Sequence, residues 1–276
     1  MFVLPLLHVF ILAVVQGLTE FLPVSSSGHL NVAWKLFDWV GWAVPENTSS
    51  DRQIINIAVH MGTLLAVCLY FWRDLAQIAA GLTKIFVGQM NPGARLAFYI
   101  VLGSLPIVIV GFFFKEQITG LQENIRVIAW ATIGFGVLLL IADRTGLTVR
   151  RVEHLGATGA LFIGLMQVLA FIPGTSRSGI TMTAARFLGF ERAEAARFSL
   201  LLSIPAILGA GTLAGIDLYY SADARLGFDA LVAAAVAFVT AFVSIALMIR
   251  WLHRAGFTPF VFYRLFLGAA LLIWIA

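Results

Sequence analysis

The chain has 276 residues, 61% hydrophobic and 12% charged, with a formal net charge of +4 and a mean hydropathy of +0.96. A soluble domain carries about 25% charged residues, so a single water-soluble core cannot hold this chain, and an all-α polytopic membrane protein is expected. The basic residues are spread along the loops, which argues against a nucleic-acid partner, and the one cysteine, Cys68 in the apolar run LLAVCLYF, offers neither a disulfide nor a Cys-rich metal site.

The first apolar run, Met1 to Val15, has no Lys or Arg before it and no small-residue cleavage site after it, so it reads as a poor signal peptide that stays in the protein. It belongs to a longer apolar region, residues 2–44, interrupted by QGLTEFLPVSSSGHL at 16–30. Spans are expected at about 54–72, 95–114 and 125–143, each near the ~20 apolar residues that cross a bilayer. A second interrupted region, 157–189, carries FIPGTSRSG from Phe171 to Gly179, and further spans are expected at about 197–217, 227–251 and 258–276. Proline ends or kinks a helix and restricts the residue before it. Pro23 and Pro173 therefore make each interrupted region two half-helices around a turn, a re-entrant hairpin.

The order is hairpin, three spans, hairpin, three spans. FLPVSSSG and FIPGTSRSG align with Phe21 over Phe171 and Pro23 over Pro173, with one extra residue in the second copy. This predicts a single membrane domain over 1–276, built as a repeat over about 1–145 and another over about 156–276. Three intervening spans invert the second hairpin, the inverted-topology architecture with a site near the midplane. If the N-terminus is on one face, the opposite face receives Arg73, Lys84, Arg95, Arg144, Arg150, Arg151, Arg186, Arg192, Arg197, Arg250 and Arg254. The N-terminal face receives Arg52, Lys115, Arg126 and Arg225, and Lys35, Arg177 and Arg264 fall inside apolar segments. The positive-inside rule makes the richer face cytoplasmic, so both termini are expected outside and the first hairpin dips in from the outer face. Trp34, Trp39, Trp42 and Trp72 suit interfacial belts.

The two interruptions carry the chemistry, because ionisable groups and broken helices at membrane depth are costly and line buried sites. Glu20 can hold a divalent cation or take a proton, and Gln16 lies one helical turn before it, so both can face one ligand. His29 is an acid or base near neutral pH. Ser25, Ser26 and Ser27 offer hydroxyls that a base could activate. Gly174 permits a close backbone turn, Arg177 presents a planar fork to phosphate oxygens, and a half-helix starting near Ser178 offers backbone N–H groups to an anion. One hairpin supplies acid, base and hydroxyl, and the other an anion clamp, which suits a phosphorylated substrate with a lipid tail. Each residue also has a plainer role: Glu20 pairing with Arg177 at a helix end, His29 capping its half-helix, Gln16 making a packing hydrogen bond, a serine binding the turn backbone. Asn56 and His60 read as helix–helix hydrogen-bonding residues, and Arg264, beside Tyr263, as a side chain that snorkels or pairs with an acid. His8, His154 and His253 carry no signal.

QGLTEFLPVSSSGH and PGTSRSG, with YRLFLGA near Tyr263 and the spacing of the segments, resemble the undecaprenyl-diphosphate phosphatase (bacitracin-resistance protein) family of bacteria over essentially the whole chain. The resemblance implies an enzyme of the bacterial inner membrane that hydrolyses a polyprenyl pyrophosphate from the outer face. Its products are the monophosphate carrier of cell-wall synthesis and inorganic phosphate, and it depends on a divalent cation, Mg²⁺ or Ca²⁺. It places Glu20 and Gln16 on the family's (E/Q)xxxE motif, with Gln16 the neutral option, and so implies a metal shell of one carboxylate, one amide and phosphate oxygens. Ser26 and His29 match the hydroxyl and imidazole of catalysis, with Ser26, His29 or a water as nucleophile. The expected step is attack by Ser26 with His29 taking its proton, and the alternative is a water activated by Glu20 or His29. Arg177 and Ser176 match the phosphate-binding stretch, and Ser25, Ser27, Gly174, Thr175 and Ser178 are its further substrate contacts. The oligomeric state, a homodimer included, stays open.

Two other readings compete. A lipid-phosphate flippase would share the inverted-repeat architecture, but transport needs no base beside a hydroxyl. The type-2 phosphatidic-acid phosphatases share a run like SSSGH, but they require a His and an Asp after the late Ser-Arg, and none follows Arg177 at such a distance.

Overall fold

In the computed structural model, residues 6–40, 49–85, 89–114, 124–219 and 224–274 are described. They form helices and short turns, with an isolated bridge between Arg150 and Phe190 as the sole β-type pairing among them. The helices are α1 (Leu6–Thr19), α2 (Ser26–Trp39), α3 (Ser49–Tyr70), α4 (Trp72–Ile85), α5 (Pro92–Phe113) and α6 (Ile125–Thr145). They continue as α7 (Ala157–Gln167), α8 (Arg177–Phe187), α9 (Arg192–Tyr219), α10 (Ala224–Leu252) and α11 (Thr258–Trp274).

Four helical segments among the described residues are long and apolar enough to cross a membrane: Arg52–Tyr70, Pro92–Phe113, Ile125–Thr145 and Gly227–Leu252. The span expected at 197–217 lies in α9 and runs into residues whose side chains lie outside the described set, and that expected at 258–276 is the 17-residue α11. The chain is a multi-pass, all-helical membrane protein. Exposed Phe112, Trp130, Leu231, Phe266 and Ile273 stud the outer faces of α5, α6, α10 and α11, where lipid replaces water.

The two interrupted regions are pairs of short helices. α1 and α2 have 14 residues each, and α7 and α8 have 11 each. At about 1.5 Å per residue these reach about 21 and 16 Å, short of a ~30 Å hydrocarbon core. Between the spans expected at 54–72 and 95–114 lies α4, which starts at Trp72 and whose Asp74 accepts from Arg197 Nε of α9 at 3.1 Å. α10 packs along α1 and α3 at backbone distance: a Cβ on Gly62 would lie 2.1 Å from the Ala234 carbonyl oxygen. At the end of the molecule where α6 and α8 finish and α9 begins, Asp143 is buried between Arg186 (3.3 Å) and Arg192 (2.7 Å) and also accepts from the Phe257 N–H at 3.1 Å. Trp39 and Trp72 are exposed as a belt requires, whereas Trp34 is buried, donating to Asn56 Oδ1 at 3.3 Å beneath Arg52. Trp42 and Lys115 lie outside the described residues.

Candidate active site

The site begins with two turns built alike. After α1 the chain passes through Pro23 to Ser25, whose φ is 74° and whose Oγ accepts from the Gly28 N–H at 3.4 Å to cap α2. After α7 it passes through Pro173 to Ser176, with φ 72° and Oγ accepting from the Gly179 N–H at 3.1 Å to cap α8. These are the two non-glycine residues with positive φ among the described residues. Positive φ costs a residue with a Cβ roughly 1–2 kcal/mol, so both turns hold the same strain at the same point before a half-helix. Gly174, with φ 94°, sits where a Cβ would lie 2.3 Å from the Ile128 carbonyl oxygen, so glycine is required there twice over.

The turns meet on Glu20, whose side chain is 6% exposed. Arg177 Nη2 donates to its Oε1 at 2.7 Å. Gln16 Nε2 and Ser26 Oγ each donate to its Oε2 at 2.7 Å. His60 Nε2 of α3 stands 3.8 Å from the same oxygen. The nearest base to the Ser26 hydroxyl is therefore Glu20. His29 has both ring nitrogens engaged elsewhere: Nδ1 with the Ser25 carbonyl at 2.7 Å and Nε2 with the Tyr263 hydroxyl at 2.5 Å. Ser178 Oγ ties the turns together by donating to the Leu22 carbonyl at 2.9 Å and lies 3.1 Å from Ser176 Oγ. Ser27 is exposed, while Thr175 is fully buried.

Three buried polar atoms in this cluster have no hydrogen-bond partner: Gln16 Oε1, Thr175 Oγ1 and Arg177 Nη1. An unpaired buried donor or acceptor costs about 1–3 kcal/mol, so Gln16 Oε1 and Arg177 Nη1, both on side chains bonded to Glu20, mark a place prepared for a ligand. The donors also suit a hard divalent cation. Gln16 Oε1 and the Glu20 carboxylate are oxygen ligands of the kind Mg²⁺ and Ca²⁺ take. Among the described residues no three His, Cys, Asp or Glu side chains form a cation cage, so oxygens from a phosphate or water would complete the shell. Beside the cluster an apolar groove of about 410 Å³ runs between α1 and α2, lined by Ile11, Val15, Val32, Leu36 and Phe37, with His29 also in its wall.

Three neighbours of the site were not legible as such in the sequence. Arg264 neither snorkels nor pairs with an acid. It is 0% exposed, and its guanidinium donates to the carbonyls of Pro23 (3.2 Å), Gly174 (2.9 Å), Thr132 (3.0 Å) and Ala131 (3.4 Å). One cation thus holds both turns and α6 together. Asn56 bonds across helices as expected, but His60 donates from Nδ1 to its own helix, at the Asn56 carbonyl (2.6 Å), and turns Nε2 towards Glu20. Tyr263 reaches His29. In the sequence, Tyr263 and Arg264 showed as a pair of polar side chains in the apolar run of α11, and His60 as a polar residue within an expected span.

Residues 9–270 match the family described as bacitracin resistance protein BacA. Undecaprenyl-diphosphatase 1 of Rhodospirillum rubrum is 49% identical over 268 residues, covering 97% of this chain and 94% of that protein. The undecaprenyl-diphosphatase of Alteromonas mediterranea is 48% identical over 271 residues, and that of Ruegeria pomeroyi 45% over 271, each match covering 97% of both chains.

Proposed function

The chain belongs to the bacitracin resistance protein BacA family, and on that premise we propose that it is an integral-membrane phosphatase converting undecaprenyl diphosphate to undecaprenyl phosphate and inorganic phosphate. The observation that carries the reading is the convergence of Arg177, Ser26 and Gln16 on the Glu20 carboxylate, each at 2.7 Å. An anion clamp alone would serve transport, but a hydroxyl placed on a buried carboxylate serves nucleophilic attack.

Ser26 Oγ attacks the terminal phosphorus and its proton passes to Glu20 Oε2. The P–O bond to the bridging oxygen breaks, and that oxygen departs on the lipid monophosphate. Water then attacks the phosphoserine, and Glu20 returns the proton to Ser26 Oγ as phosphate leaves. Arg177 holds Glu20 through Nη2 and turns its unpartnered Nη1 to the phosphate oxygens. Backbone N–H groups at the start of α8, with Thr175 and Ser176, complete the anion clamp. Glu20 and Gln16 Oε1 would hold the divalent cation, which supplies charge neutralisation to the diphosphate when bound. The lipid tail lies in the groove between α1 and α2, and the diphosphate reaches past His29 to Glu20.

The finer architecture follows the same reading. The matched positive-φ caps at Ser25 and Ser176, together with half-helices too short to span, support two re-entrant hairpins in an inverted-topology repeat. The basic residues favour a site open to the outer face of the bacterial inner membrane, with both termini outside. The test is phosphate release from undecaprenyl diphosphate by purified protein in detergent, with Mg²⁺, with Ca²⁺ and with chelator. Cation-dependent release, abolished in Glu20→Ala and His29→Ala, is expected. No release from folded wild-type protein would overturn the reading and favour the flippase.

A further inference from the structure

We propose that Tyr263 is a catalytic residue of this phosphatase, the group through which His29 acts on the oxygen that leaves with the lipid. The proposal rests on the phosphatase reading and on four features of the structure.

First, the Ser25 carbonyl can only accept, so His29 Nδ1, 2.7 Å away, carries a hydrogen. In the neutral ring Nε2 is then the acceptor, and the Tyr263 hydroxyl at 2.5 Å donates to it. Every proton that His29 gives or takes at Nε2 therefore crosses the Tyr263 oxygen. Second, the two rings stack with centroids 5.6 Å apart and planes 9° from parallel, which fixes the direction of that bond. Third, Tyr263 is next to Arg264, whose bonds to the Pro23 and Gly174 carbonyls lock α11 against both turns, while the Tyr263 side chain itself stays exposed. Fourth, Ser26 already has its base in Glu20, and His29 lines the apolar groove. With the tail in that groove and Ser26 on the terminal phosphorus, as proposed above, His29 and Tyr263 are left to serve the leaving-group oxygen.

The step balances. With His29 protonated, Nε2–H donates to the Tyr263 oxygen and frees the phenol hydrogen for the bridging oxygen. As Ser26 Oγ bonds to the terminal phosphorus and the bridging P–O bond breaks, Tyr263 gives its proton to the departing oxygen and His29 replaces it. In the second half, the water that attacks the phosphoserine loses its proton through Tyr263 to His29, which restores the starting state. No redox partner is involved.

Tyr263→Phe keeps the ring stack and removes only the hydroxyl. With undecaprenyl diphosphate and full-length protein in detergent, kcat of Tyr263→Phe should fall at least about tenfold, with KM within about twofold and an unchanged thermal midpoint. The double variant His29→Gln/Tyr263→Phe should be no slower than His29→Gln alone, because the two act as one unit. A Tyr263→Phe kcat within about twofold of wild type would overturn the proposal. So would a loss confined to KM, a loss matched by a lower thermal midpoint, or a double variant slowed by the product of the single effects. Wild-type protein that releases no phosphate would instead strike the phosphatase reading, so the two failures are distinct.

Discussion

Arg177 Nη2 and Glu20 Oε1 are 157 residues apart in sequence and 2.7 Å apart in space. The side chains are 15% and 6% exposed, so the pair is a buried one, and removing one member leaves an uncompensated charge. Such a loss costs about 3–5 kcal/mol in a buried pair, and here it also removes the proposed phosphate clamp.

Arg177→Ala should therefore reduce kcat/KM for phosphate release by at least about 100-fold, roughly 2.7 kcal/mol of transition-state stabilisation. Arg177→Lys keeps the charge but has one nitrogen for two tasks, Glu20 and phosphate, and should lose about tenfold or more. Steady-state kinetics in detergent reads both. Equal activity in Arg177→Lys and wild type would show that the fork geometry has no role.

Ser26 and Ser27 are adjacent, yet only Ser26 donates to Glu20, while Ser27 is exposed. Ser26→Ala should lose at least about 100-fold in kcat, the scale on which an activated nucleophile acts. Ser27→Ala should stay within about threefold. The same assay decides, and the reverse ranking would move the nucleophile to the neighbouring serine.

Ser25 and Ser176 separate two effects, a cap and a strained φ. Glycine loses the cap hydrogen bond but adopts φ above 70° freely, whereas alanine loses the cap and keeps the strain. Ser176→Gly should thus unfold at a higher temperature than Ser176→Ala, with a difference of about 1 kcal/mol, and Ser25 should follow the same order. Thermal unfolding of the purified variants measures it. An inverted order would mean that the turns relax out of positive φ.

Arg264 and Asp143 are buried charges with opposite expected signatures. Arg264→Met leaves the Pro23 and Gly174 carbonyls without their donor and frees the turns from one another, so both thermal midpoint and activity should fall. Asp143→Asn loosens the Arg186 and Arg192 junction at the other end of α6, so the midpoint should fall while kcat per folded molecule stays within about twofold. Midpoint and kcat are measured on the same preparations. A selective loss of kcat in Asp143→Asn would reveal coupling between the two ends.

Composition and apolar run length were enough to put this chain in a membrane as helices, because lipid leaves every backbone group to be satisfied within its own segment. The positions of Pro23 and Pro173 and the polar runs beside them marked both broken helices, and the residue types there specified anion and proton chemistry. Hydroxyls, carboxylate, imidazole and guanidinium in apolar sequence have few other uses. What the sequence could not decide was pairing. Whether Ser26 leans on Glu20 or on His29 depends on rotations within a turn, and only the fold placed Glu20 Oε2 on the serine and Tyr263 on the imidazole. The role of Arg264 was equally hidden, since its partners are backbone carbonyls from three distant segments and a carbonyl has no residue letter. Local pattern determined which groups are buried. Long-range packing, which the chain encodes only collectively, determined which of them touch.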